Sequence, residues 1–198
     1  MVGELRATSG FDPAQIAVLV FDVGGTVFDW HGSIRDAVER TAHAQGVSLD
    51  AARFTNVWRR AALAMVGRVR AGELPWMTVD EVHDRTLNDL LPGTPLRDLP
   101  ADAREALVRV WHRMRAWPDA PPAIERLRSR YTVVVLSILN FSLLIDCSKA
   151  AGIAWDGLIL CEFIGRYKDD PLAYQTALRW ICGAPSRMGA AGARTITP

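Results

Sequence analysis

The sequence has no excess of one charge and no long apolar run, and both absences exclude classes of partner. Lysine and arginine total 23 against 22 for aspartate and glutamate in 198 residues, so we expect no nucleic-acid partner and no attraction to an anionic membrane. No apolar stretch approaches the roughly 18 residues that a membrane-spanning helix needs. Residues 1–6 also lack a basic segment followed by an apolar core, so we expect no secretion signal.

Cysteine is scarce as well. Cys147, Cys161 and Cys182 are odd in number, far apart in the sequence and set among apolar residues. This pattern argues against a disulfide framework and against a zinc site. We therefore expect reduced thiols and a cytoplasmic location. The hydrophobic content of 49% is that of an ordinary globular protein with a real core.

The first apolar run and the helical block that follows it have different periodicities. Residues 16–21 are rich in β-branched side chains and too few for a helix, so they predict a buried strand, and Gly24 and Gly25 supply a turn after it. From residue 33 to about 117 the apolar residues recur at helical spacing, with Asp50 or Ser48 as a candidate N-cap. Within this block, residues 78–81 have the form of a capping box.

The chain then returns to alternating elements. After a proline-rich linker at 117–122, the pattern predicts helices at 123–130, 141–151 and 171–182, and strands at 131–136 and 157–160. This alternation favours a Rossmann-like α/β core with a parallel sheet. We expect a discontinuous core of residues 11–32 and 117–198, and an inserted helical cap of residues 33–116. Such a cap would cover the carboxyl ends of the strands as a lid.

Polar side chains that could take part in catalysis or binding follow the predicted strands. Asp22 comes directly after the first strand, where backbone amides favour an anion, and Thr26 can hydrogen-bond it or a substrate anion. Ser137 ends a neighbouring strand, and Lys168 precedes a helix that begins with proline. Each has an ordinary alternative: Asp22 as a turn former, Ser137 as a helix cap, Lys168 as a solvated side chain. Their order after successive strands favours a shared site.

Three segments together resemble the haloacid dehalogenase superfamily, and within it the type II L-2-haloacid dehalogenases. They are residues 21–30 (FDVGGTVFDW), the pair Leu136-Ser137, and residues 167–174 (YKDDPLAY). The resemblance covers nearly the whole chain, including the helical cap. Superfamily phosphatases carry a second aspartate two residues after the nucleophile, where this chain has Gly24. A leaving alkoxide would find no acid there, whereas a halide needs none.

The resemblance implies hydrolytic dehalogenation of short 2-haloalkanoic acids with no metal and no other cofactor. Asp22 would displace halide from C2, and water would hydrolyse the resulting ester. Lys168 would orient Asp22, while Thr26 and Ser137 would hold the nucleophile and the substrate carboxylate. Arg59 matches the family's arginine and is the candidate for the halide cradle, with a solvated helix-face arginine as the alternative. Asn140 is the remaining candidate for substrate binding.

The sequence departs from the family in three places. Gly24 stands where the family usually has an aromatic side chain that contacts the substrate. Ile138 replaces the asparagine that follows the serine in the family, and Asn140 lies two residues beyond that position. After Arg187 about a dozen residues are missing, including a strand and the acidic loop that positions water. We therefore expect weak or absent turnover. We also expect the strands that would flank the lost strand in the sheet to be left uncovered.

The departures leave other functions open. One alternative is a catalytically degenerate protein whose fold serves binding or assembly, and a phosphatase is a further one. A homodimer is a possible assembly, because small side chains cluster at 61–64 and a lost strand could leave sheet edges unpaired.

Overall fold

The computed structural model describes residues 16–168, 170–182 and, as backbone only, the strand Arg194–Ile196. Its strands in chain order are β1 (Val18–Phe21), β2 (Phe28–Asp29), β3 (Arg115–Ala116), β4 (Thr132–Ser137), β5 (Gly157–Leu160) and β6 (Arg194–Ile196). Its α-helices are α1 (Trp30–Ala44), α2 (Ala51–Arg70), α3 (Val79–Leu90), α4 (Ala101–Arg109), α5 (Ala120–Arg128), α6 (Phe141–Ala151), α7 (Cys161–Ile164) and α8 (Pro171–Cys182).

The main sheet is parallel, with the strand order β5-β4-β1-β6. The β-branched residues of β1 and β4 form its buried centre, where Val20 pairs with Val134 and Phe21 with Val135. The predicted α/β fold is therefore confirmed. Parallel strands end at the same edge, so residues that follow β1 and β4 lie side by side.

The structure corrects several predicted boundaries and one expectation about the sheet. α5 begins at Ala120, three residues earlier than predicted, because Pro121 and Pro122 are tolerated in its first turn. The spacing of apolar residues also predicts a helix over residues 102–114, but in the structure α4 ends at Arg109 and is followed by a 3₁₀ turn. β6 pairs with β1, so β1 has partners on both sides and is not an uncovered strand. The segment where a dozen residues are missing lies outside the described residues.

The helical insertion between β2 and β3 is organised around the indole of Trp58. This side chain is fully buried, and its Nε1 donates to the carbonyl of His83 and to Oγ1 of Thr86, both at 3.1 Å, which joins α2 to α3. Asp50, not Ser48, caps α2, and the capping box at Thr78 is present. None of the described helices has the length and apolarity needed to cross a membrane.

A two-stranded ribbon marks the place where the chain leaves the core and re-enters it. β2 and β3 pair antiparallel, and the next residues are fastened to the turn after β1. The Trp117 amide donates to the carbonyl of Val27, and Trp117 Nε1 donates to the carbonyl of Gly25, both at 2.9 Å. Two-residue strands are too short for a periodic signal, so the sequence did not predict this ribbon. The division into core and cap stays a prediction.

Candidate active site

The Asp22 carboxylate lies immediately beyond β1 with both oxygens bound. Lys168 Nζ donates to Oδ1 at 2.7 Å, and Thr26 Oγ1 donates to Oδ2 at 3.1 Å. The Lys168 and Asp22 side chains are 13% and 19% exposed, so water screens the pair only in part. These two hydrogen bonds fix the orientation of the carboxylate, which is what a nucleophile requires. The structure thus brings together three of the predicted residues.

A tight turn after β1 returns Thr26 to Asp22. Gly25 has a φ of +100°, a conformation that side chains rarely adopt, and its amide donates to the carbonyl of Phe28 at 2.9 Å. Gly24 has no such backbone requirement, and a Cβ built there would meet no atom within 4 Å. Position 24 is therefore open space, and its glycine leaves the turn without the second carboxylate of a phosphatase.

Lys168 is held in place through its neighbour Tyr167. The Tyr167 side chain is buried, its hydroxyl donates to the carbonyl of Met77 at 2.8 Å, and its ring lies 4.8 Å from that of Trp76. These contacts fasten the segment between α7 and α8 to the start of α3. The position of the lysine therefore depends on the helical insertion as well as on the core.

Ser137 ends β4, beside β1, and is buried. Its Oγ accepts the Leu139 amide at 3.1 Å, which is the turn-forming role that a serine commonly has at this place. Its hydroxyl proton is donated to no side chain or carbonyl in the described ranges. The serine can therefore stabilise the turn and still donate to an anion.

Asn140 makes contact with the insertion instead of with Asp22. Its Nδ2 donates to Asp80 Oδ2 at 2.7 Å and to Ser142 Oγ at 3.0 Å, while its buried Oδ1 has no donor. Both amide hydrogens are occupied, so the side chain has no donor left for a halide in this arrangement. Its role in substrate binding stays a prediction.

His112 extends this network, a role that no pattern in the sequence indicates. Its Nε2 lies 3.0 Å from Asp80 Oδ2, and its Nδ1 lies 2.8 Å from Asp146 Oδ2 on α6. Both ring nitrogens thus face carboxylates. A neutral imidazole has only one N–H, so it can donate to only one of them. A lone histidine outside any motif carries no signal for such a bridge.

Arg59 on α2 is largely buried instead of solvated. Its guanidinium carbon lies 5.4 Å from the ring centroid of Trp30, and the guanidinium forms no hydrogen bond or ion pair with any side chain that the structure describes. Burial lowers the pKa of Arg59, and the negative charge of Asp22 opposes this shift. A partly desolvated cation without a partner is suited to binding an anion.

An aromatic cluster of Trp30, Trp58, His83 and Trp111 lies beside Arg59. His83 stacks on Trp111 with centroids 3.7 Å apart, and Trp30 lies nearly parallel to Trp111 at 6.3 Å. Burial lowers the pKa of His83 far below its usual range, and the positive charges of Arg59 and His112 lower it further. His83 is therefore neutral and adds no charge near Arg59.

Comparisons with known proteins agree with this geometry. A family model described as haloacid dehalogenase-like hydrolase matches residues 16–188. The (S)-2-haloacid dehalogenase 4A of Burkholderia cepacia is 29% identical over 174 residues, which cover 82% of this chain and 68% of that protein. The solved L-2-haloacid dehalogenase PA0810 is 31% identical with a TM-score of 0.78, over 84% of this chain and 71% of that one.

A second solved relative is the defluorinating L-2-haloacid dehalogenase Rha0230. It is 29% identical, with a TM-score of 0.82, over 92% of this chain and 76% of that one. The resemblance stated from the three motifs is therefore confirmed across most of the sequence. Because the family model spans both the nucleophile turn and the lysine segment, the chain belongs to the haloacid dehalogenase-like hydrolases, and its relatives are enzymes that cleave carbon–halogen bonds.

Proposed function

We propose that this protein dehalogenates short 2-haloalkanoic acids through an ester on Asp22. The observation that carries the proposal is the Asp22 carboxylate, held by Lys168 and Thr26 in a turn where Gly24 provides no acid. Halide is a leaving group that needs no proton, so this set of residues suits displacement at carbon better than phosphoryl transfer. The relatives' activity on haloacids supports the same substrate class.

In the first step, an Asp22 oxygen attacks C2 of the substrate. The new C–O bond forms as the carbon–halogen bond breaks, and the bonding pair leaves with the halide. Lys168 and Thr26 hold the carboxylate in line for this displacement. The unpaired guanidinium of Arg59 and the hydroxyl of Ser137 are the groups we assign to the leaving halide and the substrate carboxylate.

In the second step, water attacks the carbonyl carbon of the Asp22 ester. The acyl–oxygen bond breaks, the departing oxygen takes one proton of the water and leaves as part of the 2-hydroxy acid, and the other water proton passes to solvent. Asp22 is regenerated as a carboxylate that contains the oxygen of the water. Among the described residues, no acidic side chain other than Asp22 hydrogen-bonds Lys168, and we assign none of them to activate the water. We therefore propose that hydrolysis is slow and that the ester accumulates.

Halide release with and without Asp22→Asn tests the proposal. The panel is L-2-chloropropionate, 2-bromopropionate and fluoroacetate, the last because the relative Rha0230 is described as defluorinating. We expect wild type to release halide and Asp22→Asn to release none, while Asp89→Asn, which changes an exposed carboxylate on α3, behaves like wild type. Intact-mass measurement should find the protein carrying one carboxyethyl group.

The outcomes separate the alternatives. Fast steady halide release with no adduct would refute the slow second step, and release that survives Asp22→Asn would refute the nucleophile. No release from any substrate would instead support a degenerate protein with a binding or assembly role, which the missing residues after Arg187 favour. Magnesium-dependent cleavage of a phosphate ester would support the alternative that the protein is a phosphatase. A homodimer stays a prediction, for which light scattering is the measurement.

A further inference from the structure

Trp30 is the member of the aromatic cluster that lies against the nucleophile turn. It is the first residue of α1, and the edge of its indole lies over Gly25, where a built Cβ would be 3.4 Å from Nε1 and 3.5 Å from Cδ1. Its ring is 9° from parallel to that of the buried Trp111, with the ring centroids 6.3 Å apart. The indole therefore has little freedom to turn.

The position of Trp30 is also relevant to the aromatic side chain that is absent at position 24. The family resemblance implies an aromatic side chain at position 24, where this chain has an open glycine. Trp30 brings an aromatic ring against the same turn from six residues further along the chain. The turn beside Asp22 is thus bordered by an indole, although position 24 has no side chain.

Trp30 is also the aromatic ring over which Arg59 lies. The guanidinium carbon is 5.4 Å from the ring centroid, a distance at which the electron-rich face attracts the cation. Arginines are usually oriented by hydrogen bonds to carboxylates or carbonyls, which use up their N–H groups. A ring face orients the guanidinium without using any of them, so with respect to the described residues every N–H group of Arg59 is left for an anion.

We propose that Trp30 is a positioning residue for an anion site at Arg59. It holds the guanidinium near Asp22, where the halide leaves and the substrate carboxylate binds. The halide and the carboxylate are both small monovalent anionic groups. This inference rests on the proposed function for its role in catalysis, but anion binding itself can be measured without turnover.

Bromide titration followed by bromide NMR line broadening tests the proposal on the intact protein. Trp30→Leu removes the ring face but keeps an apolar side chain, and Trp30→Phe keeps a smaller ring face. We expect Trp30→Leu to weaken bromide binding by about 10-fold and Trp30→Phe by about 3-fold or less, since the attraction depends on the ring. Trp180→Phe, on the exposed part of α8, is the matched control and should bind like wild type.

A double-mutant cycle with Arg59→Leu distinguishes positioning from a general structural effect. If Trp30 acts through Arg59, Trp30→Leu should cause no further loss of bromide binding in the Arg59→Leu background. A loss of the same size in both backgrounds would overturn the proposal, as would wild-type binding by Trp30→Leu or no saturable bromide site in wild type. Competition by propionate identifies the ligand: displacement of bromide assigns Arg59 to the carboxylate, and no displacement assigns it to halide.

Halide release from 2-bromopropionate, measured on the same variants, keeps the two proposals apart. In Trp30→Leu we expect KM to rise about 10-fold while the rate of the alkylation step at saturation changes less. Bromide binding that depends on Trp30 in a wild type that releases no halide would leave the anion site standing and refute the dehalogenase. Normal halide release by Trp30→Leu with unchanged KM would refute the positioning role and leave the dehalogenase standing.

Discussion

Replacing Lys168 by methionine is the sharpest test of the nucleophile's environment. Methionine is close to lysine in length and keeps the packing of the stem, but it removes the ammonium that donates to Asp22 Oδ1 at 2.7 Å. Hydrogen bonds that involve a charged group contribute about 1.5–3 kcal/mol net. At the 2.7 Å separation and an effective dielectric of about 20, the gross Coulomb attraction is about 6 kcal/mol, but both side chains are partly exposed, which reduces it.

A loss of about 2–3 kcal/mol in transition-state stabilisation corresponds to about 30- to 150-fold in rate. We expect Lys168→Met to slow the alkylation of Asp22 by this factor, because the carboxylate loses its orientation and its counterion. Lys168→Arg keeps the charge but not the shape of the side chain, so we expect an intermediate decrease of about 10-fold in the rate of alkylation.

The assay is the first-turnover release of halide from 2-bromopropionate, with the adduct followed by intact mass. Lys149, the chain's other lysine, is exposed on α6, and Lys149→Met is the matched control for loss of a positive charge. Thermal melts of both variants check that the fold is intact. If Lys168→Met is alkylated within about 3-fold of the wild-type rate, the role assigned to the lysine is wrong.

Three further predictions concern groups around the site. His112→Ala removes the bridge to Asp80, so it should lower the free energy of unfolding by about 1–3 kcal/mol and speed deuterium uptake in α3. The hydrogen bond from Arg128 lowers the pKa of Asp156, so Asp156→Asn should destabilise the protein by about 1 kcal/mol at pH 7. In denaturant titrations this deficit should begin to shrink as the pH falls below about 4, and it should be lost once the pH is below the lowered pKa of the folded carboxylate. Burial raises the pKa of Cys147 to about 11, so a thiol reagent at pH 8 should modify it, as judged by peptide mass, only after unfolding.

The sequence predicted the parts of the molecule that local patterns determine. The β-branched runs before Asp22 and Ser137 indicated buried parallel strands, and parallel strands bring their following residues to one edge. For that reason Asp22, Thr26 and Lys168 could be assigned to one site before any distance was known. Arg59 was assigned by family resemblance alone, since its helix pattern is also that of a solvated side chain.

The remaining parts depend on contacts between distant segments, which no local pattern specifies. The hydroxyl of Tyr167 finds the carbonyl of Met77, and Asp80 gathers Asn140 and His112. Such contacts follow from how α3 packs on the core, so the hydrogen bond from Asn140 to Asp80 could not be foreseen, and the role of Asn140 in substrate binding stays a prediction. Trp30 was overlooked for the same reason: its importance lies in what it faces across the fold.

The bond from Trp117 to Gly25 has a consequence for how the protein is made. It joins residues 92 positions apart, across the entire helical insertion. A growing or truncated chain that ends before residue 117 has the nucleophile and its glycines but not the indole that fastens their turn. Contacts of such sequence separation form late, since the intervening loop must first be closed. We therefore expect the nucleophile turn to reach its final form only in a chain that includes residue 117.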